Sequence, residues 1–394
     1  MPIPAGASPR LASPRALLEL AGIAAAPLRY GHAVRVLRDG GLAFPAMLAG
    51  IRAAQRSVCF ENFIMADDAT GRDFASGLER ARTRGASVRV LYDPIGSLLV
   101  RGGSVGRRLR EARIDARAFR PLSPLAPWSW LRLRHRDHRK LLVCDDGIAF
   151  VGGLCIADHW APSDRGGAGW RDTAVSIRGP AVADFQRAFE RMWSRARLER
   201  AGEPAAAPPP PPRGEAAVIV VGDLPGLGRV AEIYEWLAEH AEESLDLTDA
   251  YFVAPRRVLD ALVRAARRGV RVRLLLPGRN NHPVAGLAAR RIYQPLLDAG
   301  AEIHEWTGVM LHAKTAVADG VVTLVGSSNL DPLSLRRNYE LNALVADPAT
   351  GAAMREIFAT DLLKAAPVLP EEWRRRPLRA RAAEAAATLF AEVL

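Results

Sequence analysis

Two stretches of the chain carry the same succession of apolar and polar positions. In the first, residues 57–64 (SVCFENFI) predict a strand, a helical spacing follows over 74–84, and beyond Gly85 residues 87–92 predict a second strand. In the second, residues 244–253 (SLDLTDAYFV) predict a strand, 258–268 a helix, and 270–276 another strand after Gly269. Both helices end in arginines, which suit the negative helix terminus, and a glycine free to turn left-handed closes each one. Strands alternating with helices predict an α/β fold.

The repeat is interrupted by AGEPAAAPPPPPRG at 201–214, whose five consecutive prolines favour an extended spacer. The expected organisation is an N-terminal tail (1–32, Ala- and Pro-rich, with one short helix from Ser13), a first half (33–200), a Pro-rich linker (201–214), a second half (215–363) and a basic, Ala-rich C-terminal tail (364–394).

Composition narrows the class. The 394 residues are 49% hydrophobic and 25% charged, which suits two globular domains and argues against wholesale disorder. No apolar run approaches the roughly 20 residues that span a bilayer; residues 16–28 are interrupted by Glu19, Gly22 and Pro27. With no signal-like N-terminus and only Cys59, Cys144 and Cys155, the expectation is a cytoplasmic, reducing compartment. The net charge of +11 is concentrated: residues 101–140 hold twelve basic side chains against three acidic ones. Such a surface suits a polyanion, either nucleic acid or an anionic membrane.

A closer repeat carries the chemistry. His138-Arg-Lys140 and His312-Ala-Lys314 each open an H-x-K-x4-D motif ending at Asp145 and Asp319, and Val151-Gly152 and Val325-Gly326 follow at the same offset. Only three of the 54 basic residues are lysine, and two of them sit in these motifs, so the positions call for an ammonium rather than a guanidinium. On a strand, His and Lys would share one face, where the lysine can hold a phosphate while the imidazole attacks or moves a proton. Two copies about a pseudo-twofold axis would place two histidines on either side of one phosphorus.

The doubled motif, with Gly152-Gly153 in one half and Gly326-Ser327-Ser328-Asn329 in the other, resembles the phospholipase D superfamily and, within it, the bacterial cardiolipin synthase-like phosphatidyltransferases without transmembrane helices. The resemblance extends to Trp170-Arg171-Asp172-Thr173 and Asn338-Tyr339-Glu340. It implies two similar α/β sandwich halves related by a pseudo-twofold axis, with the active site at their interface. It further implies transfer of a phosphatidyl group through a phosphohistidine, with His138 as nucleophile and His312 as general acid, although the motifs are symmetric enough to allow the reverse. Lys140 and Lys314 would clamp the phosphoryl oxygens, Asn329 and Ser327 would bind the same group, and Asp172 and Glu340 would hold the far imidazole nitrogens. Asp145 and Asp319 would be structural, capping the turn after each strand. No metal and no cofactor is implied.

Cys155 stands where the second half has Asn329 and supplies a poorer hydrogen bond on that side. The implied substrate is a phospholipid at an anionic membrane surface, on the inner face of the cell membrane, with no obligate protein partner. The alternative is a phospholipase D-type phosphodiesterase that hydrolyses phospholipid or, given the basic stretch, nucleic acid. Residues 121–134, with Trp128 and Trp130 among Pro, Leu and Arg, read either as a membrane-dipping loop or as a loop packed on the surface, and the end of the C-terminal tail offers the same choice.

Overall fold

The computed structural model describes residues 10–98, 105–121, 135–196 and 208–389. Seven strands belong to the first half: β1 (Leu28–Arg38), β2 (Ser57–Asn62), β3 (Ser87–Tyr92), β4 (Asp115–Ala118), β5 (Lys140–Cys144), β6 (Ile148–Gly152) and β7 (Thr173–Arg178). The second half supplies β8 (Ala216–Asp223), β9 (Ser244–Thr248), β10 (Arg271–Pro277), β11 (Glu302–Trp306), β12 (Thr315–Ala318), β13 (Val322–Gly326) and β14 (Glu340–Ala346). A last strand, β15 (Ala365–Pro367), joins the edge at β11.

All these strands form one sheet whose order is its own mirror in sequence. Outward from the centre, β1-β7-β6-β5-β2-β3-β4 on one side is matched by β8-β14-β13-β12-β9-β10-β11 on the other. The central pair, β1 and β8, is antiparallel, as a twofold axis between two copies requires. The periodic segments explain the arms. Helix Ala69–Thr83 carries β2 to parallel β3 and helix Arg256–Arg267 carries β9 to parallel β10, and each closes at its glycine with φ of 100° at Gly85 and 95° at Gly269. Helix Val182–Ala196 lays Phe185 and Phe189 on a core shared with Val218, Val325 and Leu341, so apolar burial joins the halves directly.

Both expected tails pack on the body. Ser13 accepts the Ala16 N–H, Pro14 occupies the first turn, and helix Pro14–Ala24 buries Leu17 and Leu20 beside Ile233 and Leu237 of the second half. The Ala-rich composition hid an apolar face, and β1 begins at Leu28, within what reads as tail. At the other terminus Trp373 stacks on Tyr293, with ring centroids 4.9 Å apart, and helix Leu378–Thr388 packs against helix Pro283–Arg291. The described end of the proline run is also anchored: Arg213 N–H donates to the Gly31 carbonyl, and Gly31, at φ 90°, leaves no room for a Cβ beside Pro212. Trp128, Trp130, Phe390, Val393 and Leu394 lie outside the described residues.

Asp145 and Asp319 follow β5 and β12 at φ of 52° and 49°. The Asp145 carboxylate accepts the backbone N–H groups of Gln55, Arg56 and Ser57, and Asp319 those of Glu242, Glu243 and Ser244. Each therefore ties the turn after a motif strand to the start of the neighbouring strand, β2 or β9, far from either imidazole.

Candidate active site at the junction of the halves

Both histidines stand just ahead of a strand rather than on one. β5 opens at Lys140 and β12 at Thr315, which corrects the expectation that each His–Lys pair shares a strand face. The preceding segments pair across the molecule instead. His138 N–H donates to the Tyr339 carbonyl (3.0 Å) and Tyr339 N–H to that of Arg136 (2.9 Å). In the second copy His312 N–H donates to the Arg171 carbonyl (2.7 Å) and Arg171 N–H to that of Met310 (2.8 Å). These two isolated parallel bridges draw each histidine out of its own ladder and set it beside the acid that follows the bridging residue of the other half.

Each imidazole thus leans on a carboxylate from the opposite half. His138 Nδ1 lies 2.9 Å from Glu340 Oε1, and His312 Nδ1 lies 2.7 Å from Asp172 Oδ2. An ionised carboxylate can only accept, so Asp172 fixes the proton of His312 on Nδ1 and leaves Nε2 with a lone pair. The acids are braced differently. Trp160 Nε1 donates to Asp172 Oδ2 (2.7 Å), and Gly153 makes room for the carboxylate, since a Cβ there would stand 2.2 Å from Asp172 Oδ1. At the matching position Ser327 donates its hydroxyl to Glu340 Oε2 and accepts the Leu341 N–H.

Both lysines are buried and tethered to their own motif. Lys140 Nζ donates to the His138 carbonyl (2.5 Å) and Lys314 Nζ to that of His312, where it also lies 3.1 Å from the imidazole Nε2. Asn329 donates Nδ2 to Ser334 Oγ (3.3 Å), and its buried Oδ1 has no partner. Because the Ser334 hydroxyl can donate as well as accept, the amide can turn over and offer its N–H2 to a ligand. Cys155 is buried, and burial pushes its thiol up, which leaves a neutral, weakly bonding group at that point of the wall.

The electrostatics separate the two dyads. Burial drives His138 well below its ordinary value, helped by Lys140 and Lys314, and takes His312 to about 3 against the opposing pull of Asp172. Burial raises Glu340 to about 7 despite Lys140 and the Ser327 bond. Burial also lifts Asp172, but His312 and Lys314 pull it further down, so this carboxylate stays ionised. Burial lowers Lys314 to about 8, opposed by Asp172.

A single cavity of about 1080 Å³ is lined by His138, His312, Cys155 and Asn329 together, so the predicted histidines meet at one space. Its aromatic lining escaped the sequence reading. Phe63 lies 4.9 Å from the His138 ring, while Trp160, Trp170 and Tyr251 lie 5.1, 5.9 and 6.1 Å from His312. The available signal was that two of the eight tryptophans fall within 12 residues of Asp172. Arg171 was missed as well. Its guanidinium bonds Asp361 (2.8 Å), Asp39 (3.2 Å) and the Asp172 carbonyl, while Asp39 accepts the Asp172 N–H (2.9 Å). Glu61 sits buried 3.3 Å from Arg139 and is not among the residues that line the cavity.

Comparison with known proteins identifies the family. The family model described as cardiolipin synthase, PLD-like domain, matches residues 237–362. The cardiolipin synthase of Geobacillus thermodenitrificans (strain NG80-2) is 31% identical over 385 residues, 96% of this chain and 76% of that protein. That of Halalkalibacterium halodurans is 28% identical over 372 residues, 93% of this chain and 73% of that protein. Among solved structures, phosphatidylserine synthase of Haemophilus influenzae Rd KW20 shares the fold with a TM-score of 0.72 at 14% identity, covering 95% of this chain and 98% of that one. With the doubled motif converging on one cavity and this extent of likeness, the chain belongs to the cardiolipin synthase family of the phospholipase D superfamily.

Proposed function

We propose that the chain transfers a phosphatidyl group from one phospholipid to the hydroxyl of another through a phosphohistidine. The observation that carries this reading is that the two motif histidines, each backed by the other half's carboxylate, line one cavity. In the first step His312, protonated on both ring nitrogens once the anionic phosphodiester is bound, passes its Nε2 proton to the departing oxygen as His138 Nε2 attacks phosphorus and the P–O bond to the headgroup breaks. In the second, an acceptor hydroxyl returns a proton to His312 and attacks phosphorus, and the P–N bond breaks. Lys140, Lys314 and Asn329 would hold the non-bridging oxygens as charge builds on them.

The two carboxylates support this division of labour. An ionised Asp172 stabilises an imidazolium at His312, as a general acid needs. Glu340, raised to about 7, offers His138 much less, which suits a neutral nucleophile.

The substrate class would bring the chain to an anionic membrane surface on the cytoplasmic side. The net charge of +11 favours that surface, and helix Pro283–Arg291 turns Val284 and Leu287 to solvent while Ala285 lines the cavity. No described helix is long and apolar enough to cross a membrane.

Purified protein incubated with mixed phosphatidylglycerol and phosphatidylethanolamine vesicles tests the reading. A new diphosphatidyl lipid, absent with His138→Ala, is the expected product by mass spectrometry. Phosphatidic acid alone would place water as the acceptor and make the chain a hydrolase. Cleavage of DNA with lipids untouched would overturn the reading.

A further inference from the structure

The segments that lead into the two histidines differ in charge. By motif spacing Arg136 corresponds to Met310, and by the registers of β2 with β3 and of β9 with β10 Asp93 corresponds to Pro277. Asp93 and Arg136 form a buried ion pair, with Nε 2.9 Å from Oδ2 and Nη2 2.8 Å from Oδ1. Pro277 and Met310 can carry no charge. A buried ion pair adds little net stability over an apolar pair of the same volume. The second half builds the same arm without one, so stability does not account for the pair.

Its contacts converge on the segment that carries His138. The Asp93 carboxylate also accepts the N–H groups of Asp137 (3.1 Å) and Ile95 (2.9 Å), which ties the motif to the end of β3. The Arg136 guanidinium donates to the carbonyls of Phe119 (2.9 Å) and Arg120 (3.1 Å), just past β4. The Arg136 backbone then reaches the other half. Its N–H donates to Asn338 Oδ1 (3.3 Å), and its carbonyl accepts the Tyr339 N–H. The Tyr339 carbonyl in turn accepts the His138 N–H, and Glu340 follows directly. Both members of the first dyad therefore hang from one fixed guanidinium. Neither Asp93 nor Arg136 is among the residues that line the cavity. In the second dyad the buried arginine is Arg171, on the segment of the acid Asp172. The first dyad has its histidine braced, the second its carboxylate.

We propose that Asp93 and Arg136 are positioning residues for His138, holding its Nε2 on the line of attack at phosphorus. This rests on the reading of the site as a phosphatidyl-transfer centre with His138 as nucleophile, and it names what aims that nucleophile. A nucleophile must keep its aim while the N–P bond forms, and misplacement by about 1 Å costs roughly a hundredfold. A planar guanidinium held at both ends of its fork sets a direction that a point charge would not. What a general acid needs is an ionised partner, and that is the member braced in the second dyad.

The experiment uses the full-length protein and a phospholipid whose headgroup is 4-nitrophenol. His138 Nε2 bonds to phosphorus, the P–O bond breaks, and nitrophenolate leaves without a proton. Its first-turnover release, followed by rapid mixing, therefore reports the attack and not proton transfer by His312. Asp93→Asn keeps the size of the side chain and should slow this step about tenfold or more at unchanged KM. The double variant Asp93→Asn/Arg136→Met borrows Met310 of the second half, leaves no buried charge unpaired, and should be slowed as much. Leu20→Ala, which loosens the N-terminal helix, should leave the step unchanged. A second readout needs no turnover. In protein with isotope-labelled histidine at pH 8, the Nδ1 proton of His138 is identified in the NMR spectrum by its loss in His138→Ala. It should shift in Asp93→Asn while that of His312 stays in place. A native first-turnover rate in both Asp93 variants, or imidazole protons that move together or not at all, would overturn the proposal. If the native protein releases no nitrophenolate and turns over no phospholipid, the transfer reading fails, and the positioning proposal then stands or falls on the selective shift at His138.

Discussion

At Lys314 the side chain is 2% exposed and its ammonium is fastened to the His312 carbonyl beside the imidazole. A guanidinium is wider and planar and cannot occupy that pocket, so Lys314→Arg should lower kcat by at least a hundredfold with the fold intact by circular dichroism. Asn329→Ala removes one donor to the developing charge and should cost about 10²–10³ in kcat with little change in KM, by steady-state kinetics. Glu340 offers a test by stability. Burial raises it from 4.5 to about 7, so the fold favours its protonated form. That contribution is complete below pH 4.5 and is lost as pH rises through about 7. Glu340→Gln stays neutral throughout. The variant should therefore gain roughly 3 kcal/mol on the native protein at pH 8 relative to pH 4.5. Denaturant midpoints at both pH values measure this, and transfer activity should fall in the same variant. At this scale the sequence was legible for the duplicated His and Lys, because rarity of lysine marked them. The choice of carboxylate for each histidine was not. It depends on bridges between segments far apart in the chain, 138 with 340 and 312 with 172, that no local pattern records.

Among the elements, the periodic ones were readable, and the composition-biased N-terminal one was readable as a helix but not in its packing. β3 and β10 stand where alternation placed them, within a residue. The N-terminal helix begins after Ser13 as expected, but alanine and proline hid its packing, in which Leu20 is fully buried against the second half. Leu20→Ala should cost about 2–5 kcal/mol of stability, measured by urea unfolding. The end of helix Pro348–Leu362 has a more specific task. Its Asp361 accepts Arg171 Nε and also an Arg38 N–H, which pins the strand entry that carries Asp172. Asp361→Asn acts on catalysis only through Asp172 and His312. It should lower kcat about tenfold or more at constant KM and shift the pH–rate profile, whereas Leu20→Ala should leave that profile unmoved. Nothing in the sequence near position 361 announces this reach, because the contact is made only when the two halves assemble.

For the whole molecule, the symmetry of the sheet explains why one chain holds a complete site. The antiparallel β1–β8 pair places the two arms about a common axis, and the cross-half bridges bring one imidazole from each arm to a single cavity. The copies have since diverged in the acid, Asp172 against Glu340, and in the amide position, Cys155 against Asn329, so the two histidines face unequal surroundings and can take unequal roles. The measurement that tests this most directly uses His312→Ala and a phospholipid whose headgroup is 4-nitrophenol, a leaving group that needs no proton. Rapid mixing, acid-free quenching and peptide mass spectrometry should show a burst of one nitrophenolate per chain and a phosphatidyl adduct on the peptide containing His138. A burst with the adduct elsewhere, or an equal burst from the double variant His138→Ala/His312→Ala, would contradict it.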